Sequence, residues 1–134
     1  MRHDAWVVLA VVLESGAPER LYTALSMLVS AAAEGEPARG LVGFGALPAL
    51  LDDDLVGRAR AADAVPAAGR ERFARSLAEL RATAQELPDL RVWACAAAME
   101  THGVAPDALA GRLDGVMSMP RFLREVGGAS LVVV

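Results

Sequence analysis

The chain has 134 residues and a formal charge of −4, with 54% hydrophobic and 4% aromatic residues. This length fits one domain, and the apolar fraction is too high for a disordered chain. There are 28 alanines, and all 13 basic side chains are arginine. An acidic chain without basic clusters excludes a general nucleic-acid binder, and the single cysteine, Cys95, excludes a disulfide scaffold within the chain.

The early apolar run from Ala5 to Leu13 is too short to cross a membrane, since a spanning helix needs about 20 residues. A signal peptide is not expected either, because Glu14-Ser15-Gly16 follows the run in place of a cleavage site. We therefore expect a cytoplasmic protein without membrane contact, in which the free thiol stays reduced.

The first half of the chain predicts a strand, a helix and a second strand. Trp6–Leu13 is valine-rich and unbroken, which is typical of a strand covered on both faces. Pro18 suits the first position of a helix, and the apolar spacing after it predicts a helix that ends near Gly35. Gly40–Gly45 predicts the second buried strand.

The stretch Ala46–Gly69 lacks a sustained period. Its leucines predict a short helix, and the Ala/Pro/Gly-rich remainder predicts a mobile surface segment, either a lid or an inert loop. The run Asp52-Asp53-Asp54 is more typical of a solvated patch than of a metal site, because no partner ligand stands in register with it.

The second half of the chain alternates helices with short strands. Arg70–Leu87 is the clearest helix, because its apolar residues recur by three and four. A third strand, Leu90–Ala94, finishes at Cys95, and the remaining predicted elements are helices at 96–102, 106–112 and 120–126 and strands at 115–119 and 131–134. The alternation predicts right-handed βαβ units. We therefore predict one α/β domain, a three-layer α/β/α sandwich with a mostly parallel five-stranded sheet.

Ligands of such sheets collect beyond the carboxyl ends of the strands. This edge is predicted to hold Glu14, Ser15 and Gly16 after the first strand, Gly45 after the second, Cys95 after the third and Met119 after the fourth. Free N–H groups at the start of the following helix favour a thiolate at Cys95, and the neighbouring alanines leave the sulfur open.

Each candidate also has a structural interpretation. A lone cysteine among alanines is often a small buried hydrophobe, and Met119 is either core filler or a pocket wall. His102 lies two helical turns beyond Cys95, on the same side, or else is a surface turn residue. Neither phosphate-loop spacing is present, so nucleotide binding through those motifs is not supported.

The segment Val92–Met99, followed by Gly103-Val104, resembles the active-cysteine segment of the DsrE/DsrF-like sulfur-relay proteins. Glu14–Leu25 is similar to that family's first turn and helix, and Pro120–Val126 with Leu131–Val134 is similar to its closing helix and strand. The order and spacing of these parts together carry the resemblance over nearly the whole chain.

The resemblance implies a small α/β sandwich that assembles into homotrimers or hexamers. Cys95 would accept sulfane sulfur as a persulfide from a donor protein and pass it to an acceptor protein. From their positions in the chain, we expect the pocket to be lined by Ser15, Gly16, Gly45, Met99, His102 and Met119. No cofactor or metal is predicted. The alternative is a non-catalytic ligand-binding or assembly subunit in which Cys95 only packs, while a peroxide-reducing thiol enzyme lacks support because there is no resolving cysteine. A chain of this size buries only about two thirds of its surface, which also favours self-association.

Overall fold

A computed structural model describes residues 6–134; residues 1–5, which include the first residue of the early apolar run, lie outside the described residues. Five strands form one sheet in which every neighbouring pair is parallel, in the order β4-β3-β2-β1-β5. The strands are β1 (Leu9–Leu13), β2 (Ala38–Val42), β3 (Leu90–Cys95), β4 (Val116–Met117) and β5 (Ser130–Val133).

Six α-helices connect the strands, together with short 3-10 helices at Ala67–Gly69 and Pro106–Leu109. The α-helices are α1 (Pro18–Ala33), α2 (Ala46–Leu51), α3 (Leu55–Arg60), α4 (Arg70–Ala84), α5 (Ala96–His102) and α6 (Met119–Glu125). The predicted α/β sandwich with a parallel five-stranded sheet is confirmed.

Helices pack on both faces of the sheet, and each face can be defined by one of its contacts. Gly40 and Val92 are paired in register, and a Cβ added at Gly40 would lie 3.1 Å from the Leu28 side chain of α1. This side is the α1 face, and the absence of a side chain at Gly40 lets α1 approach the sheet closely. Trp93 points to the opposite side, the α6 face, where its ring lies 6.3 Å from the ring of Phe122 in α6.

The core runs along the central strands and extends beneath the helices on both faces. Phe122 is the largest of its fully buried side chains, and no buried residue in the described part of the chain is polar or charged. On the α1 face, Tyr22 of α1 stacks on Phe73 of α4 with ring centroids 5.4 Å apart. Apolar burial therefore holds the layers together.

Residues 55–60 form a helix where an irregular surface segment was predicted, and that prediction was wrong. Leu55 and Ala59 lie one turn apart and are fully buried, so α3 has a core-facing side. The Asp54 side chain accepts a hydrogen bond from the Gly57 N–H at 3.2 Å, which caps the start of the helix.

The connection after α3 is also held in place. The Nε atom of Arg70 donates to the carbonyl oxygens of Ala62 and Val65, at 2.9 and 2.8 Å. One guanidinium thus fastens the 61–69 segment to the start of α4, and the segment does not have the form of an open lid.

Several elements begin or end at residues other than those predicted. Strand β1 starts at Leu9, and Trp6 and Val8 before it are 69% and 44% exposed, so the predicted coverage on both faces fails there. The predicted helix at 106–112 shortens to the 3-10 helix Pro106–Leu109, because Ala110 leaves the helical region with ψ 126° and Gly111 follows with a left-handed φ of +74°. No helix between residues 6 and 134 combines the length and apolarity needed to cross a membrane.

Replacing Leu55 by alanine tests the packing of α3. We expect Leu55→Ala to lower the free energy of unfolding by about 2–5 kcal/mol, because it removes a fully buried side chain. Arg60→Ala on the same helix should change it much less, because it removes only an exposed ion pair with Glu71. Urea denaturation measures both; similar small effects would contradict a packed α3.

Candidate functional site

The loops that follow β1 and β2 pack directly on each other at the carboxyl edge of the sheet. The Ala46 N–H donates to the Glu14 carbonyl oxygen at 3.1 Å. A Cβ at Gly16 would overlap the carbonyl oxygen of Gly45, and one at Gly45 would lie 2.9 Å from the Glu14 carbonyl oxygen. Glycine is therefore needed at 16 and 45 so that the two backbones can approach each other.

The hydroxyl group of Ser15 takes part in the same turn. Its Oγ accepts a hydrogen bond from the Ala17 N–H at 3.1 Å, just before α1 begins at Pro18. The Ser15 N–H itself donates to the carbonyl oxygen of Val134 at 3.2 Å. Ser15 thus shapes the link between β1, β5 and α1.

Cys95 lies where β3 ends and α5 begins. It is the N-cap residue of α5, its Cα partner in β4 is Met117, and its side chain makes no capping hydrogen bond. The thiol is free, and the residue is only 7% exposed. Ala94 and Ala96 flank it in the chain, so no bulky neighbour in sequence shields the sulfur.

An open depression of about 380 Å³ lies beside the start of α5. Ala96, Met99 and Val116 line it, and Glu100 is its one charged lining residue. Met99 is 5% exposed and forms part of the core as well as the wall of the depression. Met119, which opens α6, is 37% exposed and does not line this depression.

The imidazole of His102 contacts the β2 loop. Its Nε2 atom lies 2.8 Å from the Phe44 carbonyl oxygen, and because a carbonyl only accepts, this hydrogen bond requires a proton on Nε2. His102 lies seven positions after Cys95, which corresponds to about 10 Å along the helix axis. His102 therefore ties the end of α5 to the β2 loop and is not hydrogen-bonded to the thiol.

Of two charged residues at this edge, sequence reasoning expected Glu14 and missed Arg58. Arg58 of α3 donates from Nη2 to the Gly16 carbonyl oxygen at 3.4 Å, a contact between residues 42 positions apart. A Cβ built at Gly43 would lie 3.3 Å from a carboxylate oxygen of Glu14. Glu14 was expected here because it follows the first predicted strand, whereas no local pattern identifies Arg58.

The edge therefore contains two separate groups of predicted residues. Ser15, Gly16 and Gly45 form one backbone cluster, and Cys95 with Met99 forms the start of α5. His102 joins the two groups through Phe44. Within residues 6–134, no three His, Cys, Asp or Glu side chains are grouped so that they could hold a metal ion.

Comparison with known proteins adds no functional assignment. No protein-family model matches the chain, and no curated protein matches it. Interpretation of the site therefore depends on its residues and their geometry.

Substituting the two glycines in turn tests the close loop contact. We expect Gly16→Ala to lower the free energy of unfolding by about 1–3 kcal/mol, because the new methyl group overlaps the Gly45 carbonyl. Gly69→Ala is the matched control, since a Cβ there meets nothing within 4 Å and its φ is −101°. The control should be neutral or stabilising by about 0.4–1 kcal/mol in urea denaturation. A Gly16→Ala variant as stable as this control would refute the contact.

Proposed function

We propose that this protein carries sulfane sulfur as a persulfide on Cys95 and passes it to a partner protein. The observation that carries the proposal is the position of Cys95 at the carboxyl end of β3, as the N-cap residue of α5. This position favours an acceptor atom, because the first N–H groups of a helix have no partner within the helix. A thiolate or persulfide sulfur is such an acceptor, and Cys95 has no competing side-chain cap.

The proposed chemistry is sulfur exchange without net oxidation. The Cys95 thiolate attacks the outer sulfur of a donor persulfide, a new S–S bond forms at Cys95, and the donor S–S bond breaks to release the donor thiolate. An acceptor thiolate then attacks the outer sulfur on Cys95 and restores the Cys95 thiolate. Atoms and charge balance in both steps, so neither step needs a cofactor.

A single cysteine is sufficient for this cycle. Cys95 is the only cysteine in the chain, so the second thiol of each exchange belongs to the donor or the acceptor. Such a carrier needs a compartment that keeps thiols reduced, and we propose the cytoplasm for it.

Access to the sulfur is the main requirement that the geometry places on this function. Cys95 is only 7% exposed and does not itself line the depression, whose wall includes Ala96, the residue that follows it. A movement of the start of α5 toward solvent would open a path from this depression to the sulfur. The alanines at 96–98 present little side-chain bulk against such a movement.

The alternative is a binding or assembly subunit in which Cys95 only packs. Its specific support is that Cys95 belongs to the buried core cluster and has no side-chain hydrogen bond. The two functions differ in one measurable property, because a packed thiol reacts slowly with every reagent whereas a carrier reacts with a persulfide donor.

Intact mass after incubation with a small persulfide donor tests the carrier function. We expect the wild type to gain about 32 Da, the mass of one sulfur atom, and to lose it again when a thiol acceptor is added. Cys95→Ser should gain nothing, because it has no other cysteine.

A relocated thiol is the stricter control for that experiment. The double variant Cys95→Ala with Ala97→Cys carries its thiol on an exposed position of α5. If the strand-end position matters, this variant should release sulfur to the acceptor about tenfold less efficiently than the wild type. No mass gain on the wild type, or equal transfer by both proteins, would overturn the carrier function.

We further propose that the protein self-associates through β5. Strand β5 pairs only with β1, so its other side is a sheet edge, and no side chain from Ser130 to Val134 is charged. Monomeric proteins commonly protect such edges with charge or proline. Val8, Leu131 and Val133, here called the β5 patch, are 44%, 50% and 64% exposed beside it.

A second copy of the chain fits this edge and its patch. A two-fold pairing places the same apolar surface and the same open strand on both sides, so the two copies complement each other. Residues Ala10 and Val12 of β1 continue the patch inward, since they are the register partners of Leu131 and Val133. The homotrimer or hexamer implied by the family resemblance stays a prediction.

Sedimentation tests this interface. We expect the wild type to sediment as an oligomer and Val133→Arg to shift it toward monomer, because a charge would have to be buried against the partner. Thr23→Arg adds the same charge at an exposed site on α1 and should leave the assembly intact. A monomeric wild type, or an unchanged Val133→Arg oligomer, would contradict the interface.

A further inference from the structure

A second cavity, of about 170 Å³, opens on the α1 face, and none of its lining residues belongs to the Cys95 site. Its floor is apolar and is formed by Leu25 of α1, Leu50 of α2 and Val92 of β3, which are at most 6% exposed. Its walls come from the end of α4 and from the 111–114 connection that leads to β4. The cavity therefore reaches the hydrophobic core from solvent.

Two guanidinium groups line this cavity. Arg81 of α4 uses Nη1 to donate to the carbonyl oxygens of Leu50 and Asp52, at 3.1 and 2.8 Å. Its Nε and Nη2 atoms make no hydrogen bond to the described residues, and Arg81 has no ion pair among them. Arg112 comes from the connection before β4, and its side chain is 26% exposed.

The connection that carries Arg112 is fixed by its backbone. The N–H groups of Arg112 and Leu113 both donate to the carbonyl oxygen of Leu109, at 2.9 Å. Gly111, which lies between Leu109 and Arg112, adopts φ +74°, a conformation that favours glycine. Both arginines are therefore anchored before any ligand arrives, and anchored donors lose less entropy on binding.

The carboxylates near the cavity already have partners. Asp53 accepts from Arg112 at 2.6 Å, but its side chain is 95% exposed. Asp52 lies 3.6 Å from Arg58, and the Oδ2 atom of Asp114 accepts from the Val92 N–H at 2.7 Å. None of these carboxylates bonds to Arg81.

One guanidinium in the lining has no carboxylate partner. Burial and then the charge of Arg112 lower the pKa of the Arg81 guanidinium, while Asp53 and Asp52 act in the opposite direction. Arg112 is paired with Asp53, so Arg81 is the guanidinium of the lining that has no ion pair among the described residues. A partly desolvated cation of this kind is stabilised by an anion that accepts its hydrogen bonds.

We propose that this cavity binds a small organic monoanion, a carboxylate with a short branched apolar group. The carboxylate would accept hydrogen bonds from the free Nε and Nη2 atoms of Arg81 and would lie near Arg112. The apolar group would cover Leu25, Leu50 and Val92. A monoanion matches Arg81, the one guanidinium of the lining without an ion pair among the described residues, and an inorganic anion would leave the apolar floor in contact with water.

Titration of the ¹⁵N-labelled full chain with isovalerate, followed by NMR, tests the proposal. Isovalerate should shift the amide signals of lining residues such as Leu50, Val92 and Leu113 in a saturable way. Isovaleramide has the same shape without the charge and should bind at least about tenfold more weakly, because charge-assisted hydrogen bonds are about twice as strong as neutral ones. Inorganic phosphate tests whether charge alone is sufficient for binding. If phosphate binds as tightly as isovalerate, the apolar floor has no role in recognition.

Three variants locate the site. Arg81→Gln should weaken isovalerate binding at least about tenfold, and Arg72→Gln, an exposed position on the same helix, should leave it unchanged. Ala84→Leu fills the cavity without removing a hydrogen bond and should abolish binding even if Arg81→Gln is too unstable to measure. The absence of saturable shifts, equal effects of the two arginine variants, or full binding by Ala84→Leu would overturn the proposal. Cys95→Ser should bind normally, so this outcome is independent of sulfur transfer.

Discussion

Parallel pairing of all five strands is the constraint on which the rest of the molecule depends. It directs the carboxyl ends of β1, β2 and β3 to one edge, so that residues as distant in sequence as Gly16, Gly45 and Cys95 reach the same side of the sheet. The register also aligns Val11, Gly40 and Val92 across the sheet under α1. The missing side chain at Gly40 sets the distance of α1, and α1 in turn supplies part of the floor of the arginine-lined cavity through Leu25.

The α6 face of the sheet is incompletely covered. The seven-residue helix α6 packs against β3 there, with Phe122 on Trp93. The region next to β5 therefore keeps Leu131 and Val133 exposed, although both lie in a strand without a charged side chain. Such a surface is expected when a further layer comes from outside the chain.

The sequence predicted those elements that a nearby residue or a regular apolar spacing identifies. Pro18 marked the start of α1, and the three-four spacing of apolar residues identified α4. Helix α3 was missed because Gly57 and three aspartates weaken a pattern of only two buried positions. Asp54 as an N-cap was the available signal. Contacts such as Arg58 with Gly16, or His102 with Phe44, join residues more than 40 positions apart, and no local pattern contains them.

The two proposed sites would stabilise a negatively charged group in different ways. Around Arg81, charge is concentrated against an apolar floor, and recognition comes from hydrogen bonds between an anion and fixed guanidinium groups. Around Cys95, the adjoining side chains are alanines, and the thiol has only backbone N–H groups to stabilise a negative sulfur. The imidazole that sequence spacing placed on the same side is bonded to Phe44 and lies at the far end of α5. The proposed sulfur transfer would also require access to a sulfur whose residue is 7% exposed, and only alanine side chains adjoin it at the start of α5.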